Sequence, residues 1–174
     1  MDYAELAQRI RALTEEETDE VALMATVACE VHIFDDRFDW TGFYRVTAPE
    51  LLKIGPYQGG HGCLTIPFSR GVCGAAARTG EVQRVADVEA FPGHIACSSS
   101  TRSELVIPVR DGSGKVIGVF DIDSDRPDAF TELQKYEVFD AQGGSLFGGY
   151  ALLLWVREDG HWRMAADVSN EGRP

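Results

Sequence analysis

Basic residues are scarce in this 174-residue chain: 16 Lys and Arg stand against 28 Asp and Glu, a formal net charge of −12. Such a balance repels phosphate backbones at long range, and no Lys/Arg cluster offsets it locally, so nucleic acid is not an expected partner. Long apolar runs are missing as well. None approaches the ~20 residues a membrane span needs, and the start, Met1-Asp2-Tyr3-Ala4-Glu5, lacks the basic region of a secretory signal. A cytoplasmic location with no membrane partner is the expectation. Cysteine is sparse too: Cys29, Cys63, Cys73 and Cys97 include no CxxC spacing, which argues against a zinc ribbon or a thioredoxin-type motif. In a reducing compartment permanent disulfides are rare, so each thiol is either an inert core residue or chemistry.

What the chain does have suits one globular domain. A length of 174 residues with 44% hydrophobic composition should bury roughly 70% of the unfolded surface without a disulfide scaffold. Residues 2 to 34 place Leu6, Ile10 and Leu13 at helical spacing, and Val21, Met24, Val27, Ala28 and Val31 repeat the pattern, so two helices are expected. Thr14 with Glu17 has the form of a capping box, and Thr18 before Val21 offers a weaker start. From Trp40 the pattern turns strand-like: Trp40 to Val46, a turn at Thr47-Ala48-Pro49-Glu50, then Leu51 to Tyr57. A Gly-rich link leads to Cys63 to Ile66, then to a small-residue helix, Gly71 to Thr79, closed by Gly80. Val82 to Val85 reads as another strand. Asp87 to Ser103, with Pro92, Gly93 and its serines, reads as a loop or a helix with a polar start.

The clearest strands are Glu104 to Arg110 and Lys115 to Asp123, joined by Asp111-Gly112-Ser113-Gly114. If Arg110 faces Lys115, then Glu104 faces Asp121, and Asp123 lies two residues further on the same face. Leu105, Ile107, Val109, Val116, Phe120 and Ile122 would form the opposite, core face. Three carboxylates crowded at one end of a sheet destabilise it unless something compensates. Either the group faces bulk water or it holds a proton or a cation, because crowded carboxylates raise one another's pKa.

The segments Asp39-Trp40-Thr41-Gly42-Phe43-Tyr44, Gly55-Pro56-Tyr57-Gln58-Gly59, Gly71-Val72-Cys73-Gly74, Phe91-Pro92-Gly93-His94-Ile95-Ala96-Cys97, Ser103-Glu104-Leu105-Val106 and Ile117-Gly118-Val119-Phe120-Asp121-Ile122-Asp123-Ser124 resemble the free methionine-(R)-sulfoxide reductases, enzymes built on one GAF domain. The resemblance runs from about Tyr3 to Phe130 and includes the spacings between Cys63, Cys73 and Cys97. It implies an α+β fold with a central antiparallel sheet of about six strands flanked by helices. It also implies reduction of free L-methionine-(R)-sulfoxide, an oxidative stress response activity, by sulfenic acid and disulfide chemistry. Cys97 corresponds to the nucleophile, Cys63 to the resolving thiol, and Cys73 to a third cysteine that serves as an alternative or relay. Glu104 corresponds to the proton donor, Asp123 assists it at the sulfoxide oxygen, and Asp121 holds the substrate ammonium. Trp40 and Tyr44 correspond to aromatic walls at the methyl-sulfur end. Ser98 to Thr101, after Cys97, could stabilise a thiolate through hydroxyls or amides at a helix start. Arg102 could pair with these acids or with a substrate carboxylate.

No bound cofactor is implied; turnover needs a thioredoxin-like, NADPH-linked reductant as partner. A zinc reading of His61, Cys63, His94 and Cys97 meets unusual HxC and HxxC spacings, and no metal is expected. Cys29 falls in the apolar repeat of the second helix and reads as core. The competing reading is a GAF sensor that binds a small metabolite without chemistry, which leaves the thiols unexplained. The resemblance ends near Phe130, giving a division into residues 1–130, the catalytic domain, and 131–174, an atypical tail. In that tail a short helix from Glu132 to Gln142 and a hairpin over Tyr150 to Val168 are expected, worded like a fragment of a SnoaL-like domain. The resemblance implies terminal helices joined in a common bundle, which admits a homodimer, and the altered tail lacks the long helix that such a bundle uses.

Overall fold

Helix α1 spans Tyr3–Thr14 and helix α2 spans Glu20–Phe34 in a computed structural model that describes residues 3–111, 113–130 and four backbone strands between 135 and 164. The break between the helices differs from the capping-box reading. Thr14 ends α1, its hydroxyl donating to the Ile10 carbonyl at 2.7 Å, whereas Asp19 caps α2 by accepting from the Val21 and Ala22 amides. Glu17 instead turns its carboxylate onto the Thr18 and Asp19 amides. A carboxylate beside the positive end of a helix is the stronger cap, and it displaces the threonine.

The sheet contains β1 (Trp40–Ala48), β2 (Leu51–Gln58), β3 (Thr65–Pro67), β4 (Gln83–Val85), β5 (Ser103–Arg110) and β6 (Val116–Ser124). Their order is β3-β2-β1-β6-β5-β4, every neighbour antiparallel. This is the expected α+β arrangement. The third strand starts at Thr65, two residues after Cys63, which is engaged in a disulfide described below.

One sheet face carries the two N-terminal helices: Leu6, Ile10, Leu23, Val27 and Val31 pack on Phe43, Leu105, Ile107, Phe120 and Ile122. Fully burying side chains of this size contributes about 1.5–3 kcal/mol apiece, which fixes the helices to this face. The other face carries α3 (Gly71–Thr79), whose Val72, Cys73, Ala76 and Ala77 pack near Leu52, Ile66, Val106 and Val119. Small residues let α3 sit close: a Cβ on Gly74 would lie 2.5 Å from the Pro67 carbonyl oxygen. Gly80 closes the helix in the left-handed region, φ 69°, its amide donating to the Ala76 carbonyl.

Register in the β5–β6 hairpin departs from the simple loop count. Val109 pairs with Gly118 but Arg110 pairs with Val116, so Ile117 is an extra residue in β6. Glu104 therefore faces Asp123, not Asp121, which lies opposite Val106. The total slip is two residues, and side chains alternate with period two, so the three carboxylates still share one face. Beyond the bulge the parity is broken. Val116, expected with the helical core, packs on the α3 side, and Ile117 takes its place against the helices.

Past Phe130 the backbone forms β7 (Lys135–Phe139) antiparallel to β8 (Ser145–Tyr150), and β9 (Trp155–Glu158) antiparallel to β10 (His161–Met164). The short helix expected within 132–142 is thus a strand over 135–139. Tyr136, Val138 and Phe139 are aromatic or β-branched, which favours extended backbone, and Gly143-Gly144 offers no helical continuation.

Candidate active site

Three central strands and α3 bring the site together. Glu104 on β5 and Asp123 on β6 are cross-strand partners, and Asp123 also pairs with Trp40 of β1. Asp121 follows on the same face. Tyr44, four residues after Trp40, projects to the same side, and the two rings stack with centroids 5.8 Å apart. Tyr57 of β2 also stacks on Trp40 at 5.3 Å, and the indole N–H donates to the Gly60 carbonyl at 3.2 Å. The ring is thus held by two aromatic neighbours and at its polar edge. Gly62 is glycine for a steric reason: a Cβ there would lie 2.9 Å from the Tyr44 hydroxyl and 3.0 Å from the Trp40 ring.

Cys73 lies in the first turn of α3, its Sγ 3.8 Å from Glu104 Oε1. A loop over residues 86–102 closes the site from above. Its base is tied by the Val88 amide donating to the Arg102 carbonyl, and its tip by the Gly71 amide donating to the Gly93 carbonyl. Cys97 on this loop is disulfide-bonded to Cys63, with Cα atoms 5.1 Å apart. Trp40, Tyr44, Cys73, Cys97, Glu104, Asp121 and Asp123 all line one cleft beneath this loop. Every proposed site residue from the sequence thus borders this cleft or, for Cys63, is bonded to a residue that does.

Other expectations are corrected. Arg102 turns away, pairing with Glu89 at 2.6 Å on an exposed edge. Residues 98–101 form no helix start; Ser98 and Ser100 hydroxyls bond each other at 3.0 Å, the local alternative that serines offer. In the disulfide state Cys63 and Cys97 are not thiolates, so the four-donor zinc set is unavailable. His61, His94 and Thr101 also line the cleft, and the sequence signalled the two histidines only as metal ligands beside Cys63 and Cys97.

Burial dominates the electrostatics. No Lys or Arg is among the residues lining the cleft, and Cys73, Glu104 and Asp121 are 2%, 7% and 4% exposed. Burial, then the charges of Asp121 and Asp123, push the Glu104 carboxyl well above the usual range. Asp123 is pushed up by burial and by Asp121. Burial carries Asp121 up to about 7, with neighbouring Cys73 and Glu104 working the other way. Burial, then Asp121 and Glu104, likewise push the Cys73 thiol up. Such a site holds protons at neutral pH and can deliver one into the cleft.

The GAF domain family profile matches residues 4–136. Protein YtsP of Bacillus subtilis (strain 168) is 44% identical over 137 residues, covering 78% of this chain and 83% of that protein. The free methionine-R-sulfoxide reductase of Escherichia coli (strain K12) is 39% identical over 130 residues, covering 75% of this chain and 78% of that protein. The X-ray structure of free methionine-R-sulfoxide reductase from Neisseria meningitidis in complex with its substrate superposes with a TM-score of 0.71 at 43% identity, covering 75% of this chain and 77% of that one.

Proposed function

The chain belongs to the GAF domain family, among its free methionine-R-sulfoxide reductases, and from that premise we propose that it reduces free L-methionine-(R)-sulfoxide through Cys97, Cys63 and Glu104. The observation that carries this reading is one cleft in which Cys97, already bonded to Cys63, borders the same space as a buried, proton-holding Glu104. Sulfoxide reduction needs a nucleophile at sulfur and an acid at oxygen.

In the reduced enzyme the Cys97 thiolate attacks the sulfoxide sulfur while Glu104, assisted by Asp123, protonates the oxygen. The S–O bond passes to cysteine: methionine leaves and Cys97 becomes a sulfenic acid. The Cys63 thiol then attacks that sulfur, water departs, and the Cys63–Cys97 disulfide remains. Cys73, beside Glu104, serves as an alternative or relay thiol. A thioredoxin-like, NADPH-linked dithiol returns two electrons by exchange and leaves as a disulfide. Asp121 takes the substrate ammonium, a cation that a methionine within a polypeptide lacks, and this accounts for preference for the free amino acid. Trp40 and Tyr44 wall the methyl-sulfur group, where polarisable sulfur meets aromatic rings. Among the described residues no helix is long and apolar enough to cross a membrane; a cytoplasmic role in the response to oxidative stress is part of the proposal.

Thiol-dependent turnover with separated epimers tests the assignment. The fully reduced protein is expected to go from four thiols to two with one equivalent of the R epimer and to ignore the S epimer. Cys97→Ser should abolish this, and Glu104→Gln should lower kcat/KM about 10²–10⁴-fold. Full activity in Cys97→Ser would remove the nucleophile assignment, and absence of turnover in the parent would favour a metabolite sensor.

A further inference from the structure

Cys73, Glu104 and Asp121 form a buried set whose donor atoms lie within 4.8 Å of one another. Two features set it apart from an ordinary acidic cluster. One is the thiol, and the other is Asp121 Oδ1, which is buried in the cleft wall with no hydrogen-bond partner among the described residues. Donors around a tetrahedral zinc stand about 3.5 Å apart, given bonds of roughly 2.0–2.3 Å. Cys73 Sγ and Glu104 Oε1 are at 3.8 Å, close to that separation, and the third donor lies within 4.8 Å of both.

We propose that Cys73, Glu104 and Asp121 form a binding site for a borderline-soft divalent cation of the zinc class, separate in residues from the His61/Cys63/His94/Cys97 set. A thiolate with two carboxylates suits Zn²⁺ or Co²⁺ better than Mg²⁺ or Ca²⁺, which take oxygen donors only. Binding is a ligand exchange: the Cys73 thiol proton and the proton held between Glu104 and Asp121 leave to solvent, the metal–sulfur and metal–oxygen bonds form, and no electron moves. The site needs neither Cys63 nor Cys97, so it persists in the disulfide form. It also occupies the carboxylate assigned to the substrate ammonium. On the functional reading above, therefore, the cation is a competitive brake on substrate binding rather than a cofactor.

The test uses the full chain in its disulfide form, where Cys29 and Cys73 are the only thiols, titrated with Co²⁺ and followed by absorbance. A saturable thiolate-to-cobalt charge-transfer band is expected, retained in Cys29→Ser and lost in Cys73→Ser. Should Cys73→Ser fail to fold, Asp121→Asn provides the second arm. Its affinity for Co²⁺ should fall at least about tenfold, a loss seen even for groups one step outside a metal's ligands. No charge-transfer band, or one that disappears only in Cys29→Ser, overturns the site. Free methionine is expected to displace the cobalt. A band that obeys the variants yet resists methionine upholds the metal site and counts instead against the assigned ammonium pocket.

Discussion

Asp121 is the residue at which burial, proton affinity and the proposed ligand site meet. In the unfolded chain its carboxyl titrates at the ordinary aspartate value of 3.8, whereas the folded chain keeps its proton up to about 7. Between those values the native state binds more protons than the unfolded state, so stability is full below the lower value and declines as pH rises through about 7. Asp121→Asn removes that proton uptake without changing shape. Its melting temperature should fall less than the parent's over this interval, and equally steep profiles by calorimetry would show that Asp121 does not carry the dependence. The acid cluster was legible at this scale because parity along a strand is fixed by sequence. The fate of Arg102 was not: its choice of Glu89 depends on a loop folding back by 13 positions, which no local pattern encodes. His61 and His94 were visible only through their proximity to cysteines, and their place in the cleft wall needed the tertiary fold.

Elements decide how closely the reacting groups approach. Helix α3 carries Cys73, and its distance from the sheet is set by Gly74, whose absent side chain leaves room for the Pro67 carbonyl. Gly74→Ala places a methyl against backbone that cannot rotate aside, so α3 must shift. Overpacking of this kind costs about 1–3 kcal/mol, and it should also part Cys73 from Glu104. A chemical denaturation midpoint equal to the parent's would show that α3 has slack at this contact. Helix periodicity, the glycine stop at Gly80 and the Asp111–Gly114 hairpin could all be read in advance, because each is a short-range preference. The Ile117 bulge could not. Together with a loop that closes on Val116 instead of Lys115, it moves the partner of Glu104 from Asp121 to Asp123 and exchanges Val116 with Ile117 across the sheet, yet it depends on packing against both faces at once. Likewise Thr14 and Asp19 compete for the same cap, and the stronger acceptor prevails only once α1 has run to its end.

At the scale of the whole molecule the sheet separates two tasks: its helical face stabilises the fold, and its α3 face gathers the proposed site residues. Residues 131–174 follow the stretch of sequence that forms this sheet and its helices. About 40 residues are too few to bury a core of their own, yet Leu152-Leu153-Leu154-Trp155-Val156 is strongly apolar. We propose that this segment is covered by residues 1–130 or by a second copy of the chain. Truncation after Phe130 should then lower solubility or activity, because the surface that covers the segment becomes exposed. Phe130 must be retained in such a test, since it is 2% exposed and stacks on Phe38 with centroids 6.0 Å apart. Light scattering of parent and truncated chains separates the two arrangements: loss of a dimer identifies the second copy as the cover, whereas an unchanged particle with a lower melting temperature identifies the domain itself. A truncated protein equal to the parent in solubility, mass per particle, stability and turnover would deny the tail any packing role.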